Sequence, residues 1–133
     1  RCRAYNSDTK VRVRLPQHIR FYYPDVSVVC RSNPPTDSFQ DEPVVLVEVL
    51  SSQTRRVDEG EKKEAYLTIP SLAVYILMEQ DSPRLVAFRR TTHGFVGEML
   101  SGLGAVLALP EIGAELPLAE VYDGVDFLTD PTE

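Results

Sequence analysis

The stretch that decides the fold is Pro43–Thr54, PVVLVEVLSSQT, together with the segment that follows it to about Tyr66. Four of its first five residues are Val or Leu, so Val44–Leu50 reads as a strand buried on both faces. Glu48 stands in the middle of that strand. Alternation along a strand puts it on the face of Val44, Leu46 and Leu50, within an apolar row. A carboxylate there costs several kcal/mol, of order, unless a cation or a donor meets it. What meets Glu48 is the question that organises the rest of the chain.

Downstream, Ser51, Ser52 or Thr54 can cap a helix running from Arg55 to about Thr68, and Ile69-Pro70 ends it. Gly60 weakens that helix by about 1 kcal/mol relative to Ala. Ala73–Met78, Arg84–Arg89 and Phe95–Leu100 follow as three strands, separated by Asp81-Ser82-Pro83 and Thr91-Thr92-His93-Gly94, the pattern of an antiparallel meander. Ala105–Leu109 reads as one more short strand and Pro117–Val121 as a short helix, with a fraying end at Thr129–Glu133. Upstream, Arg3–Tyr5 and Lys10–Leu15 are strands around the turn Asn6-Ser7-Asp8, Arg20–Tyr23 approaches a strand, and Asp25–Cys30 is another that Pro24 introduces. Ser32–Glu42, with Asn33-Pro34-Pro35, reads as an exposed loop with little structure of its own. The fold class is α/β, a mixed sheet with one helix packed on it after the central strand.

At 133 residues, with 43% hydrophobic and 26% charged side chains, the chain is sized for one domain with a real core, residues 1–133. No apolar run approaches the roughly 20 residues of a membrane span, and no signal-peptide pattern opens it. Cys2 and Cys30 fit no metal-ligand spacing and are too few for a disulfide scaffold, so the expectation is a reduced, cytoplasmic protein. The chain starts at Arg1 and goes directly into strand-like sequence, which reads as a piece whose first elements lie upstream.

The net charge of −6 is unevenly spread. Residues 1–23 hold six basic side chains against Asp8 alone, a balance of +5, which leaves −11 for the remainder. Lys10, Arg12 and Arg14 alternate with Val11, Val13 and Leu15, placing three cations on one strand face. That row reads either as the solvated face of an amphipathic strand or as a rail for a phosphate backbone. The acidic total does not exclude nucleic acid, because the local field counts for more than the sum.

Two carboxylates and a lysine, Asp25, Glu48 and Lys62, suit a hard divalent cation. Mg²⁺ takes oxygen ligands, keeps several waters, and is held by one or two carboxylates. The lysine would then face the attacking water or the phosphorus, where negative charge accumulates. Spacing alone leaves other readings open. Asp25 reads equally well as a turn cap, Asp58 and Lys62 as an i,i+4 surface pair worth about 0.3–0.5 kcal/mol, and Tyr66 as a core aromatic. His18 and His93 read as loop residues, and Ser51 and Ser52 have no histidine suited to a triad.

The runs YYPDVSVVC (Tyr22–Cys30), EPVVLVEVLSSQT (Glu42–Thr54), DEGEKKEAY (Asp58–Tyr66) and IPSLAVYILME (Ile69–Glu79) together resemble the Uma-type restriction endonucleases of the PD-(D/E)xK nuclease superfamily. The likeness extends from CRAYNSDTKVRV at the start to PLAEVYDGVDF near the close. It implies a restriction-endonuclease-like core, Mg²⁺ (or Mn²⁺) as cofactor, DNA as substrate and phosphodiester hydrolysis as the reaction. Pro24-Asp25 match the PD and Glu48 its acidic partner. The usual lysine two residues on would fall at Leu50, a departure; in Uma-type sequences it stands on the next helix, in a D-x-x-x-K-x-x-x-Y pattern that Asp58, Lys62 and Tyr66 match. The resemblance also implies the Val49 carbonyl as a metal ligand, and a further N-terminal helical segment that this chain lacks. A non-catalytic relative that keeps the fold as a binding or interaction module is the alternative, and a third is a structural domain in which Glu48 pairs with Lys62. Nucleases acting on both strands often dimerise, so a homodimer fits the same expectation.

Overall fold

The computed structural model describes residues 1–51 and 60–124. Its main layer is a six-stranded sheet built from β1 (Arg3–Tyr5), β4 (Val26–Val29), β6 (Pro43–Leu50), β7 (Val74–Glu79), β8 (Arg84–Thr91) and β9 (Gly94–Ser101), in that spatial order. All neighbours are antiparallel except β6 and β7, which run parallel from Val45↔Val74 to Leu50↔Glu79. Parallel neighbours require a crossover, and the helix α1 (Glu61–Tyr66) lies within it. The strand β6 is central because its residues can be buried on both sides. Leu46 and Leu50 join one cluster, Val45 and Val47 the other. Val49, near the strand end, is exposed.

A second, three-stranded sheet, β3 (Ile19–Tyr22), β2 (Lys10–Arg14) and β5 (Phe39–Gln40), supplies one cover for the main sheet. The alternation of KVRVR works as the sequence suggests. Val11 and Val13 are fully buried in the cluster of Leu46, Leu50, Ala65, Tyr66 and Tyr75, and the cations face outward. On the other side, the hairpin β10 (Val106–Leu109) and β11 (Ala114–Pro117), then α2 (Leu118–Val121), pack Leu107, Leu109 and Leu118 onto Val45, Val47 and Ile76. Gly113, at φ +67°, makes the left-handed turn between those two strands.

Three expectations change. The loop Ser32–Glu42 contains β5, which pairs in parallel with β2 (Lys10↔Phe39, Val11↔Gln40) and is organised by polar contacts. Asn33 exchanges hydrogen bonds with the Asp41 backbone and carboxylate, and its amide N–H donates to Gln40 Oε1. The strand β11 has no counterpart in the sequence reading. The cysteines are not free thiols: Cys2 and Cys30 are bonded. The register explains it. With Arg3 opposite Val29, Cys2 and Cys30 form the next opposed pair past the end of the β1–β4 ladder. Cysteine usage therefore no longer argues for a reducing compartment. No described helix is long and apolar enough to cross a membrane. Of the helix expected over Arg55–Thr68, residues 55–59 lie outside the described residues, and the described helix is Glu61–Tyr66.

Arg12 and Asp41 clamp the small sheet together. The Arg12 guanidinium donates two bonds of 2.8 Å to the Asp41 carboxylate, and Arg14 lies 3.7 Å from it. The hydrogen bond from Arg12, opposed by some burial and helped by Asn33, holds the Asp41 carboxyl below its usual range. A group depressed in the folded state contributes stability above its unfolded pKa, about 3.9, and loses it as pH falls through the lower folded value. The chain should therefore lose more of its denaturant midpoint between pH 5 and pH 3 than an Asp41→Asn variant does. Urea titrations at the two pH values test this, and equal losses would remove Asp41 from the acid response.

Candidate active site

Three elements converge at the C-terminal end of β6. β4 runs antiparallel to β6 and its last ladder pair there is Val26↔Val47, so Asp25, one residue earlier, stands beside the end of β6. Pro24, buried, fixes the approach. The Asp25 carboxylate accepts a hydrogen bond of 2.7 Å from the Val49 amide, so it continues the ladder with a side chain where β4 has no backbone to offer. In a strand the N–H and C=O of one residue point to the same side, which turns the Val49 carbonyl toward Asp25 as well.

Glu48, the preceding residue, projects from the sheet toward α1 and is 3% exposed. Its Oε2 accepts a hydrogen bond of 3.0 Å from the Tyr66 hydroxyl and lies 3.4 Å from Lys62 Nζ. Lys62 and Tyr66 are four apart and share a helix face, so one turn of α1 delivers both to the same carboxylate oxygen. Tyr66 is a core aromatic whose hydroxyl also has a partner. Its ring is fully buried and its hydroxyl serves Glu48. Asp58, the third member of that pattern, lies outside the described residues.

The helix is held by an aromatic series. Tyr66 packs edge-on against Tyr22 at 5.3 Å and Tyr75 at 5.4 Å between ring centroids, and Tyr75 stacks on Phe88 at 6.3 Å. Tyr22 also donates to Glu61 at 3.3 Å, and Arg20 lies 3.8 Å from that carboxylate. Burial, then the neighbouring Glu61 charge, pushes the Tyr22 hydroxyl's pKa up, keeping it a donor. Sequence reasoning gave Tyr22 and Glu61 no place here. Their contact spans 39 residues, and no local pattern signals it.

The donor set is suited to a hard cation. Two carboxylates and a main-chain carbonyl at a strand end are all oxygen ligands. Among the described residues, no group of three or more His, Cys, Asp or Glu side chains gathers around a point. The cleft of about 430 Å³ that includes Arg12, Arg14, Glu42 and Ser71 lies at the other end of β6 and shares no residue with this pair. Of the outward cations, Arg12 is engaged by Asp41 and stacks over Phe39 at 4.3 Å, while Lys10 lies over Phe21 at 5.1 Å. The rail is therefore a mixed cationic and aromatic face, with part of its charge already answered.

Comparison with known proteins follows the same line. The model of the Uma2 family, described as "Putative restriction endonuclease", matches residues 1–119. An uncharacterised Synechocystis protein, slr1290, is 30% identical over 128 residues, covering 95% of this chain and 66% of its own. A second Synechocystis protein, sll1609, is 30% identical over 83 residues, covering 60% and 47%. The chain thus spans a little under two thirds of one relative that it matches, taken to the nearest per cent as 66%, and about half of the other. The crystal structure of "a putative nuclease belonging to DUF820" from Anabaena variabilis superposes with a TM-score of 0.69 at 16% identity, covering 91% of this chain and 68% of that one. At that identity the likeness is one of fold.

Proposed function

This chain belongs to the Uma2 family, and from that membership we propose that it is a metal-dependent endonuclease hydrolysing DNA phosphodiester bonds. The observation that supports the reading is that the Asp25 carboxylate accepts from the Val49 amide, one residue past Glu48, whose own carboxylate lies 3.4 Å from Lys62 Nζ. On this reading α1 is the described part of the helix that follows the central strand in a restriction-endonuclease-like core.

Asp25, Glu48 and the Val49 carbonyl would hold Mg²⁺ or Mn²⁺. When bound, such an ion lowers the pKa of a water and neutralises charge on the phosphodiester. The chain's own residues do the rest. Tyr66 fixes the Glu48 carboxylate by its hydrogen bond, so the ligand does not have to be ordered when substrate arrives. Lys62 places an ammonium where negative charge builds on the phosphoryl oxygens and orients the attacking water. Hydrolysis forms a bond from that water's oxygen to phosphorus and breaks the bond to the leaving sugar oxygen, which takes up a proton. Cutting both strands needs two such sites, which a homodimer supplies.

The Glu48–Lys62 contact answers the buried carboxylate with the chain's own cation, as in a structural domain without catalysis, and a nuclease-fold interaction module is the other non-catalytic reading. A divalent-metal titration separates these from the nuclease. The full-length protein should bind Mg²⁺ by calorimetry and nick supercoiled DNA only with the metal present. Metal binding without nicking favours the module, and neither in the wild type removes the nuclease reading.

A further inference from the structure

The small sheet has an outer face that the proposed chemistry does not use. Strand pairing sets its composition. Arg12 opposes Phe21 and Arg14 opposes Ile19 across β2–β3, while Lys10 opposes Phe39 across β2–β5. Opposed residues share a face, so three cations and three apolar side chains alternate on one surface. Much of it is open. Ile19 is 53%, Phe21 46% and Tyr23, just past β3, 54% exposed. Asp41 pairs with Arg12 and Arg14 and Asp37 also acts on Arg12, while Arg14 remains 65% exposed, so Lys10, Arg12 and Arg14 face two carboxylates among the described residues.

Ile19, Phe21 and Tyr23 interleaved with cations make a contiguous, partly exposed face of the kind that marks an interaction surface. Phe21 carries Lys10 above its ring at 5.1 Å and meets Phe39 edge-on at 5.8 Å. A ligand that offers flat π-faces to the rings and anions to the cations would satisfy both. Single-stranded nucleic acid does this at every nucleotide, whereas a duplex keeps its base faces inside the stack. β3 also leads straight through Tyr23 and Pro24 to Asp25. We propose that the outer face of β2, β3 and β5 binds a single-stranded stretch of DNA, stacking bases on Phe21 and Tyr23 and seating phosphates on Lys10 and Arg14, and so feeds a strand toward Asp25. The last clause rests on the nuclease reading; the binding itself does not.

The test is fluorescence anisotropy of the full-length protein with a labelled oligothymidylate and with a matched duplex, in EDTA so that cleavage plays no part. Phe21→Ala and Tyr23→Ala should each weaken single-strand binding by about tenfold, the scale of one lost stacking contact. Phe21→Trp, which keeps a π-face, should restore it. Arg14→Ala should weaken binding and lower its salt dependence. Single-strand affinity that is unchanged in both aromatic variants overturns the proposal, as does a wild type that prefers the duplex. A face that joins two copies of the chain would instead show as a Phe21→Ala shift from dimer to monomer by sedimentation with DNA affinity intact, which also overturns it. Because no metal is present, Phe21-dependent binding in a protein that never nicks DNA would sink the nuclease reading and leave this one standing.

Discussion

Glu48→Gln should abolish metal-dependent nicking, by at least about a hundredfold, while the protein stays folded. The argument begins with cost. Glu48 is 3% exposed in the apolar cluster of Leu46, Leu50, Tyr66 and Leu77, and a carboxylate there is worth keeping only if its charge is used. Gln has the same shape, and its side-chain oxygen can still accept from Tyr66, so the packing and that hydrogen bond survive. What disappears is the negative charge. Lys62, with a side chain 22% exposed, can turn its ammonium to solvent. The fold should therefore tolerate the change, and thermal unfolding should show a shift of only a few degrees in either direction. A metal site would not tolerate it, because a neutral amide is a much weaker ligand for a hard cation. Calorimetry should show the metal affinity falling together with nicking. A variant that nicks supercoiled DNA as fast as the wild type would end the assignment of Glu48 to the site.

How far the sequence revealed this arrangement depended on whether the signal was local. Val44–Leu50 was legible because alternation and β-branching act within the strand itself, and Glu48 stood out because a carboxylate breaks the apolar row. The meander β7–β8–β9 was legible because its two turns are marked by Asp81-Ser82-Pro83 and His93-Gly94. The elements that escaped depend on partners far along the chain. β5 is two residues long, too short for any periodicity, and exists because β2 offers an edge and Asn33 a polar bracket. The Cys2–Cys30 bond follows from the β1–β4 register, which no spacing of the two residues announces. Arg12 read as an available cation because Asp41, its partner, is 29 residues away. In the candidate site the same rule holds. The spacing of Lys62 and Tyr66 is a helical pattern and was readable, whereas the convergence of both on one oxygen of Glu48 required the fold.

Lys62→Met should lower nicking by about a hundredfold and leave Mg²⁺ binding intact or tighter, a split that separates its role from that of Glu48. Lys62 Nζ lies 3.4 Å from Glu48 Oε2, so the ammonium and a bound cation would share one carboxylate and repel each other. Removing the ammonium leaves the carboxylate to the metal. If Lys62 only balanced the buried charge of Glu48, its loss would disturb folding, and the metal would repair the damage by taking its place; nicking would then survive at saturating Mg²⁺. If it acts on the phosphoryl oxygens or the attacking water, no concentration of metal restores the rate. Lys62→Arg sharpens the test. Arginine keeps the charge but spreads it over a planar fork, which cannot occupy the position of a compact ammonium on a helix packed this close to the strand. It should bind DNA like the wild type and nick slowly. Rapid nicking by the methionine variant at high Mg²⁺ would show that Lys62 is a structural counter-ion.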